Sequence, residues 1–318
     1  MISNCYMITV YQYTGALKET WDKFIDDSKN GTFMLKRDYM EYHSDRFEDY
    51  SLMFYKENVL VALLPASVHG SEVRSHGGLT YGGIVTSRKV TVQLMLEIME
   101  TLVDFLNNEK KKSLIYKRIP QIYYRYPSDE DLYALFLHDA QLKKRTISST
   151  IYMRDRINFN ERRRRNIKKS VKAGLVVKQS DDYEQYILML SEVLASRHET
   201  KPVHSSEELI RLSSLFPDNI KLFAAFDSND VMLAGTVIYE TPSVAHAQYI
   251  ASSTEGRSCG ALDLVFDYLI NDKYKGKEYF DFGISNEGDG RILNEGLVTQ
   301  KQEFGGRGVV YDEYILNF

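Results

Sequence analysis

The chain has 318 residues, 43% of them hydrophobic and 26% charged, with a formal net charge of -4, which suits about two globular domains and excludes disorder over most of the length. Two cysteines, Cys5 and Cys259, exclude a disulfide framework or a thiolate metal cage, and the near balance of charge gives the whole protein no electrostatic reason to coat nucleic acid. No apolar run approaches the roughly 20 residues that span a bilayer, and the first residues lack a basic start followed by an apolar stretch, so the expected location is the cytoplasm, without a transmembrane segment.

In chain order, an amphipathic helix over residues 17–27 precedes a unit at 50–120. Its expected elements are strands at 51–55 and 59–68, a glycine-containing strand at 77–85 and a helix at 92–107. Leu94, Ile98, Leu102 and Phe105 recur at intervals of three or four along that helix, and a strand at 114–119 closes the unit. Residues 127–177 then hold a helix bearing Leu132, Leu135 and Phe136, a short strand at 147–153 and a strongly basic helix. A second amphipathic helix at 183–197 opens a matching series. Strands at 221–226, 231–239 and 245–251 are followed by a loop rich in small residues at 254–260, a helix at 261–272 and a strand at 279–284. Both halves thus read helix, three antiparallel strands, helix, strand, an α+β unit with a mixed sheet, because a helical crossover lets the last strand run parallel to its partner. The expectation is a tandem repeat divided near residue 155, with one domain at 1–155 and another at 156–318.

This order of elements, with a glycine-containing loop opening a helix, resembles the acyl-CoA N-acyltransferase (GNAT) fold. Two such units joined by Arg-Arg-Arg-Arg-Asn-Ile-Lys-Lys-Ser-Val-Lys-Ala-Gly at 162–174 are similar to the Fem-type (FemAB-like) branch of that superfamily. The Tyr-Phe-Asp-Phe-Gly run at 279–283 and a lysine three residues before Phe304-Gly305 carry the same likeness. The resemblance implies peptidoglycan aminoacyltransferases and related acyltransferases of cell-envelope synthesis. It also implies that the first domain is a degenerate copy, since Thr86-Ser87-Arg88-Lys89 lacks the glycines found at 256–260.

The candidate donor site is Gly256, Arg257, Gly260 and Ala261, where free amides at a helix start would meet the phosphates of an acyl-CoA, acetyl-CoA being the first choice. The resemblance gives Lys301 the task of meeting charge that develops in acyl transfer. His246 on the third strand of the second unit is the candidate base, its free pKa near 6.5 lying close to an operating pH, and it shares an expected strand face with Gln248 and Ile250. Nine basic side chains stand against two acidic ones between Asp155 and Lys178, and the helical positions Arg162, Arg165 and Lys169 fall near one line, suited to a phosphate-bearing substrate. His198 and His204 belong to a loop that interrupts two helices, a composition that often lines an acceptor pocket. His76 and Tyr81 flank glycines that would let a sugar or peptide touch the backbone, and Asp281 would orient the acceptor. No metal is expected.

The sequence therefore points to an acyltransferase moving an acyl group from acyl-CoA to an amine on a cell-envelope or surface-polysaccharide precursor, such as a nucleotide-linked sugar or peptide. Two alternatives stay open at this level. One is an aminoacyl-tRNA-dependent peptidoglycan-precursor aminoacyltransferase; the other is a non-catalytic RNA- or glycan-binding module, which Leu262 favours by standing where a pyrophosphate loop has a small residue.

Overall fold

The computed structural model describes residues 8–198 and 203–318, the side chains of 196–198 excepted. The chain forms two compact units. One runs to Thr146 and takes back Asp289–Arg291 and Val310–Phe318, while the other comprises Ile147–Gly288 and Ile292–Val309. The division is therefore not linear in sequence, unlike a cut near residue 155. Its physical reason is the last strand, Arg307–Asn317, whose end returns to pair antiparallel with Ser113–Lys117 through Glu313 to Asn317.

In the first unit, strands Ile8–Gln12, Leu52–Lys56, Val59–Leu64 and Val85–Thr86 pair antiparallel in that order. Helix Val92–Asn108 starts at Thr91, whose hydroxyl accepts from the Leu94 amide and so satisfies one orphan donor of the first turn. Its apolar stripe of Met95, Ile98, Met99, Leu102 and Leu106 is buried among Leu52, Phe54, Ala62, Leu64 and Leu114. The expected strand at 59–68 stops at Leu64, and Ser67–His69 joins Glu72–Arg74 instead. The expected strand at 77–85 is mostly turn, preceded by His76 at φ +46°, which breaks an extended course.

In the second unit the strand order is Val176–Ser180, Ile220–Phe226, Met232–Glu240, Val244–Ser252, Tyr279–Ile284 and the part of strand Gln141–Tyr152 from Ile147 onwards. The first four pair antiparallel. Helices Thr254–Cys259 and Ala261–Tyr268 and the π-turn Leu269–Lys273 supply the crossover that brings Tyr279–Ile284 in parallel to Val244–Ser252. Strand alternation sends Phe280 and Phe282 into an aromatic core and turns Asp281 to the other face. In that core the Phe266 ring lies 5.0 Å from Phe282 and 5.2 Å from Phe304, edge to face. Among the described residues no helix is long and apolar enough to cross a membrane.

Candidate functional site

The parallel pairing of Val244–Ser252 with Tyr279–Ile284 consists of Val244 with Tyr279, Ala245 with Phe280 and His246 with Asp281. Both strands run on past that last pair, so His246 and Asp281 sit at the fork. A bulge between Val237 and Ile238 of the neighbouring strand leaves Gln248 without a partner, since Val237 faces Tyr249 and Ile238 faces Ala247. The extra residue shifts the alternation. Ala245, Ala247 and Ile250 consequently pack into the apolar core, correcting the expected shared face of His246, Gln248 and Ile250.

His246 Nδ1 and Asp281 Oδ2 are 2.7 Å apart, with the carboxylate fully buried and the imidazole 11% exposed. The second carboxylate oxygen accepts from the hydroxyls of Ser148 and Thr150, the latter at 2.6 Å, on the strand paired to the other side of Asp281. Burial alone would raise the Asp281 pKa. The hydrogen bond and charge of His246 and the two hydroxyl donors outweigh it and hold the carboxyl below its usual value. An ionised Asp281 accepts the Nδ1 proton, which leaves the Nε2 lone pair free to take a proton from elsewhere.

Lys301 reaches the same fork from helix Glu295–Gln302. Its Nζ donates to the carbonyls of Gly283 at 2.8 Å and Ile284 at 2.7 Å, immediately beyond Asp281. The residue is 4% exposed, and burial pulls its pKa down to about 8 while the Asp281 charge works in the opposite direction. Gly283 connects the two groups. A Cβ built on it would stand 3.4 Å from His246 Cε1, so the carbonyl held by Lys301 belongs to a residue lying against the imidazole. A buried acid, an imidazole and an ammonium thus converge, a set able to move a proton and meet a developing negative charge.

Thr254–Cys259 form a helix with Ser253 as its N-cap, in place of the expected open loop at 254–260. The Gly260 amide donates to the Gly256 carbonyl, and Gly260 takes φ +81° to end one helix and start the next. Ala261 is buried, and Arg257 donates to the Ser252 carbonyl at 2.6 Å and the Thr254 hydroxyl at 2.9 Å. Asp263 occupies the first turn of Ala261–Tyr268 and is held by Arg163 at 2.7 Å and Asn166 at 3.1 Å. Gly256 lies so close to the sheet that a Cβ there would meet the Leu233 carbonyl oxygen at 2.1 Å. Gly256→Ala is accordingly expected to cost about 1–3 kcal/mol in chemical denaturation, the usual range for overpacking. Gly276→Ala, with nothing within 4 Å of its Cβ, is the silent control.

The other sequence candidates scatter. Arg162 pairs with Glu303, Lys169 donates to the Ser258 carbonyl at 2.6 Å, and Arg165 is exposed on the same helix, Glu161–Lys172. His204 Nδ1 shares a hydrogen bond with the Tyr249 hydroxyl, while the His198 side chain lies outside the described residues. His76 and Tyr81 are in the first unit, and both are buried. The His76 ring stacks on His43 with burial driving its pKa down to about 3, and Tyr81 donates to the Thr32 hydroxyl at 3.1 Å. Ser148 and Thr150 escaped the sequence reading, as did Tyr186, whose fully buried hydroxyl has its pKa pushed well up by burial and by nearby Tyr249. Among the described residues no group of His, Cys, Asp and Glu is arranged to hold a metal ion.

No protein-family model matches the chain, and no curated protein matches its sequence. Solved structures do. FemX is similar at 12% identity over 98% of this chain and 97% of its own, with a TM-score of 0.68. L-PGS from Bacillus licheniformis is 12% identical over 89% of this chain and 91% of its own, at a TM-score of 0.59. A tandem GNAT protein from the clavulanic acid biosynthesis pathway is 9% identical over 98% of each chain, at 0.52. The fold is α+β, two GNAT-like units in tandem, with a likeness in architecture to the Fem-like branch.

Proposed function

We propose that the second unit is an acyl-transfer site that joins an acyl or aminoacyl group, delivered as an activated ester, to an amine on a cell-envelope precursor. The observation that carries this reading is the convergence of His246, Asp281 and Lys301 where two parallel strands part. The amine nitrogen attacks the ester carbonyl, forming the new C–N bond, and its proton passes to His246 Nε2. Lys301 meets the oxyanion with the N–H that its two carbonyl bonds leave over. Collapse of the tetrahedral species breaks the C–O bond, and the imidazolium returns the proton to the leaving oxygen. No covalent enzyme intermediate is required; holding ester and amine together supplies much of the acceleration.

The donor is read as an aminoacyl ester of the tRNA type in preference to acyl-CoA. Acyl-CoA would need a free cradle for its pyrophosphate. The Gly260 amide is already bonded to Gly256, and the Asp263 carboxylate stands at the following helix start, where a second anion is disfavoured. The likeness to FemX and L-PGS supports the same choice, and the likeness to a tandem GNAT protein keeps acyl-CoA as the second reading. Incubation with charged tRNA or with acetyl-CoA, each beside an amine-bearing muropeptide or nucleotide-linked amino sugar, followed by mass spectrometry, tests this. The expected product carries the amino acid, and acetyl-CoA gives none. Acetylated product alone would reverse the donor choice; no product from any donor, with RNA still bound, would leave a binding module.

A further inference from the structure

A cleft of about 420 Å³ opens on the second unit between the strand ending at Tyr152, helix Glu161–Lys172 and the end of helix Ala261–Tyr268. That volume falls within the range of small-molecule pockets, about 300–1,000 Å³. Its apolar wall is made by Ile151, Ile157, Phe159, Ile167 and Phe304, and none of His246, Asp281 or Lys301 lines it. Phe304 and Ile151 are each 1% exposed, so the apolar surface left open is that of Ile157, Ile167 and part of Phe159, mostly aliphatic. Ile157 is left 47% exposed.

Helix Glu161–Lys172 divides its side chains sharply. Arg163, Asn166, Lys169 and Ser170 bond to Asp263 and to the carbonyls of Ser258 and Cys259, and Arg162 goes to Glu303. On the side that lines the cleft, the side chains of Arg164 and Lys168 stand one turn apart, exposed, and make no hydrogen bond or ion pair among the described residues. Ile167 lies between them, and Val171, one turn beyond, is 60% exposed. The third cation of the cleft, Arg156, is held by Asn271 Oδ1 at 2.7 Å and the Ile270 carbonyl at 3.2 Å. The only carboxylate of its lining, Asp267, already accepts from Asn271 at 2.7 Å.

We propose that this cleft binds a phosphate monoester of an alkyl chain. A carboxylate would neutralise only one of the two uncommitted cations. A phosphate monoester carries about -1.5 to -2 at neutral pH and has oxygens enough for the planar fork of Arg164 and the point charge of Lys168 together. The aliphatic wall then takes the chain, covering Ile157 and Ile167, which inorganic phosphate would leave in water. The inference goes beyond acyl transfer and does not depend on it.

Calorimetry on the full chain with octyl phosphate, inorganic phosphate, octanol and adenosine monophosphate tests it. Octyl phosphate is expected to bind at least about tenfold more tightly than any of the other three, because only it satisfies both the cations and the aliphatic wall. The exposed double substitution Arg164→Glu with Lys168→Glu should weaken it at least about tenfold without lowering the melting temperature. Lys301→Met should leave it unchanged, which separates this site from the transfer site. Equal binding of octyl and inorganic phosphate, tighter binding of the nucleotide, or full binding by the double variant would each overturn the proposal.

Discussion

Lys301→Met is expected to lower kcat by about 10²–10³-fold with little change in KM, the loss typical of removing one donor to a developing oxyanion. Methionine keeps much of the volume and the straight stem of lysine, so the cavity stays filled. What disappears is the ammonium and its bonds to Gly283 and Ile284. The Gly283 and Ile284 carbonyls lose their donor, but Ile284 is 44% exposed and Gly283 half-buried, so water replaces part of that loss and removal of a buried charge offsets more. Circular-dichroism melts beside steady-state kinetics distinguish a folding defect from a catalytic one. The alkaline side gives an independent check. With its pKa at about 8, Lys301 loses its charge as the pH rises through that value, and a role for the cation requires activity to fall there. Stability moves the opposite way. The folded-state pKa lies below the ordinary lysine value of 10.5, so the unfolded chain binds more protons between the two values and this group's contribution rises with pH across that window. The Met variant should lack both the alkaline limb and that slope. Undiminished turnover would remove Lys301 from the chemistry.

The groups that meet at this fork were unequally readable in the sequence. Tyr279-Phe280-Asp281-Phe282 alternates aromatic and acidic residues with strand period, so a polar face opposite an aromatic core follows directly. The helix at 92–107 was legible from its apolar stripe, but the third strand expected at 77–85 was not there to complete the matching series, because that stretch is mostly turn. The turn of Asp281 towards His246 was not legible, since it depends on a pairing of strands 35 residues apart in which the register ends after three pairs. Ser148 and Thr150 stand more than 130 positions from Asp281 and sit within a stretch of ordinary strand formers, so only the fold connects them. The Gln248 bulge reverses the face of every later residue on its strand, and a single extra residue leaves no periodic trace in a nine-residue element. At 254–260, glycine, serine and cysteine suggested a loop, yet Ser253 caps a helix there and tertiary packing makes use of Gly256 for close approach.

Asp281→Asn should prove nearly as damaging as His246→Ala, each lowering kcat/KM by about 10²–10⁴-fold, although only the second removes the base. The hydroxyls of Ser148 and Thr150 both donate to Oδ1, so an asparagine in this place keeps its carbonyl oxygen towards them and presents its amide to His246 Nδ1. That amide donates where the carboxylate accepted. The imidazole must then carry its proton on Nε2, and the nitrogen facing the fork becomes a donor unable to receive the amine proton. Geometry is preserved while the proton inventory is inverted. Thr150→Val, which removes one of the two hydroxyl donors but leaves the carboxylate, should by contrast lose only a few-fold in activity, a net hydrogen bond being worth about 1 kcal/mol. Nitrogen-15 chemical shifts of His246 supply a readout that a merely structural Asp281 would not move: Nδ1–H in the parent and Nε2–H in the Asn variant. Equal activity of the Asn variant and the parent, with the tautomer shown to have switched, would exclude His246 as the base and leave proton removal to solvent or to the substrate.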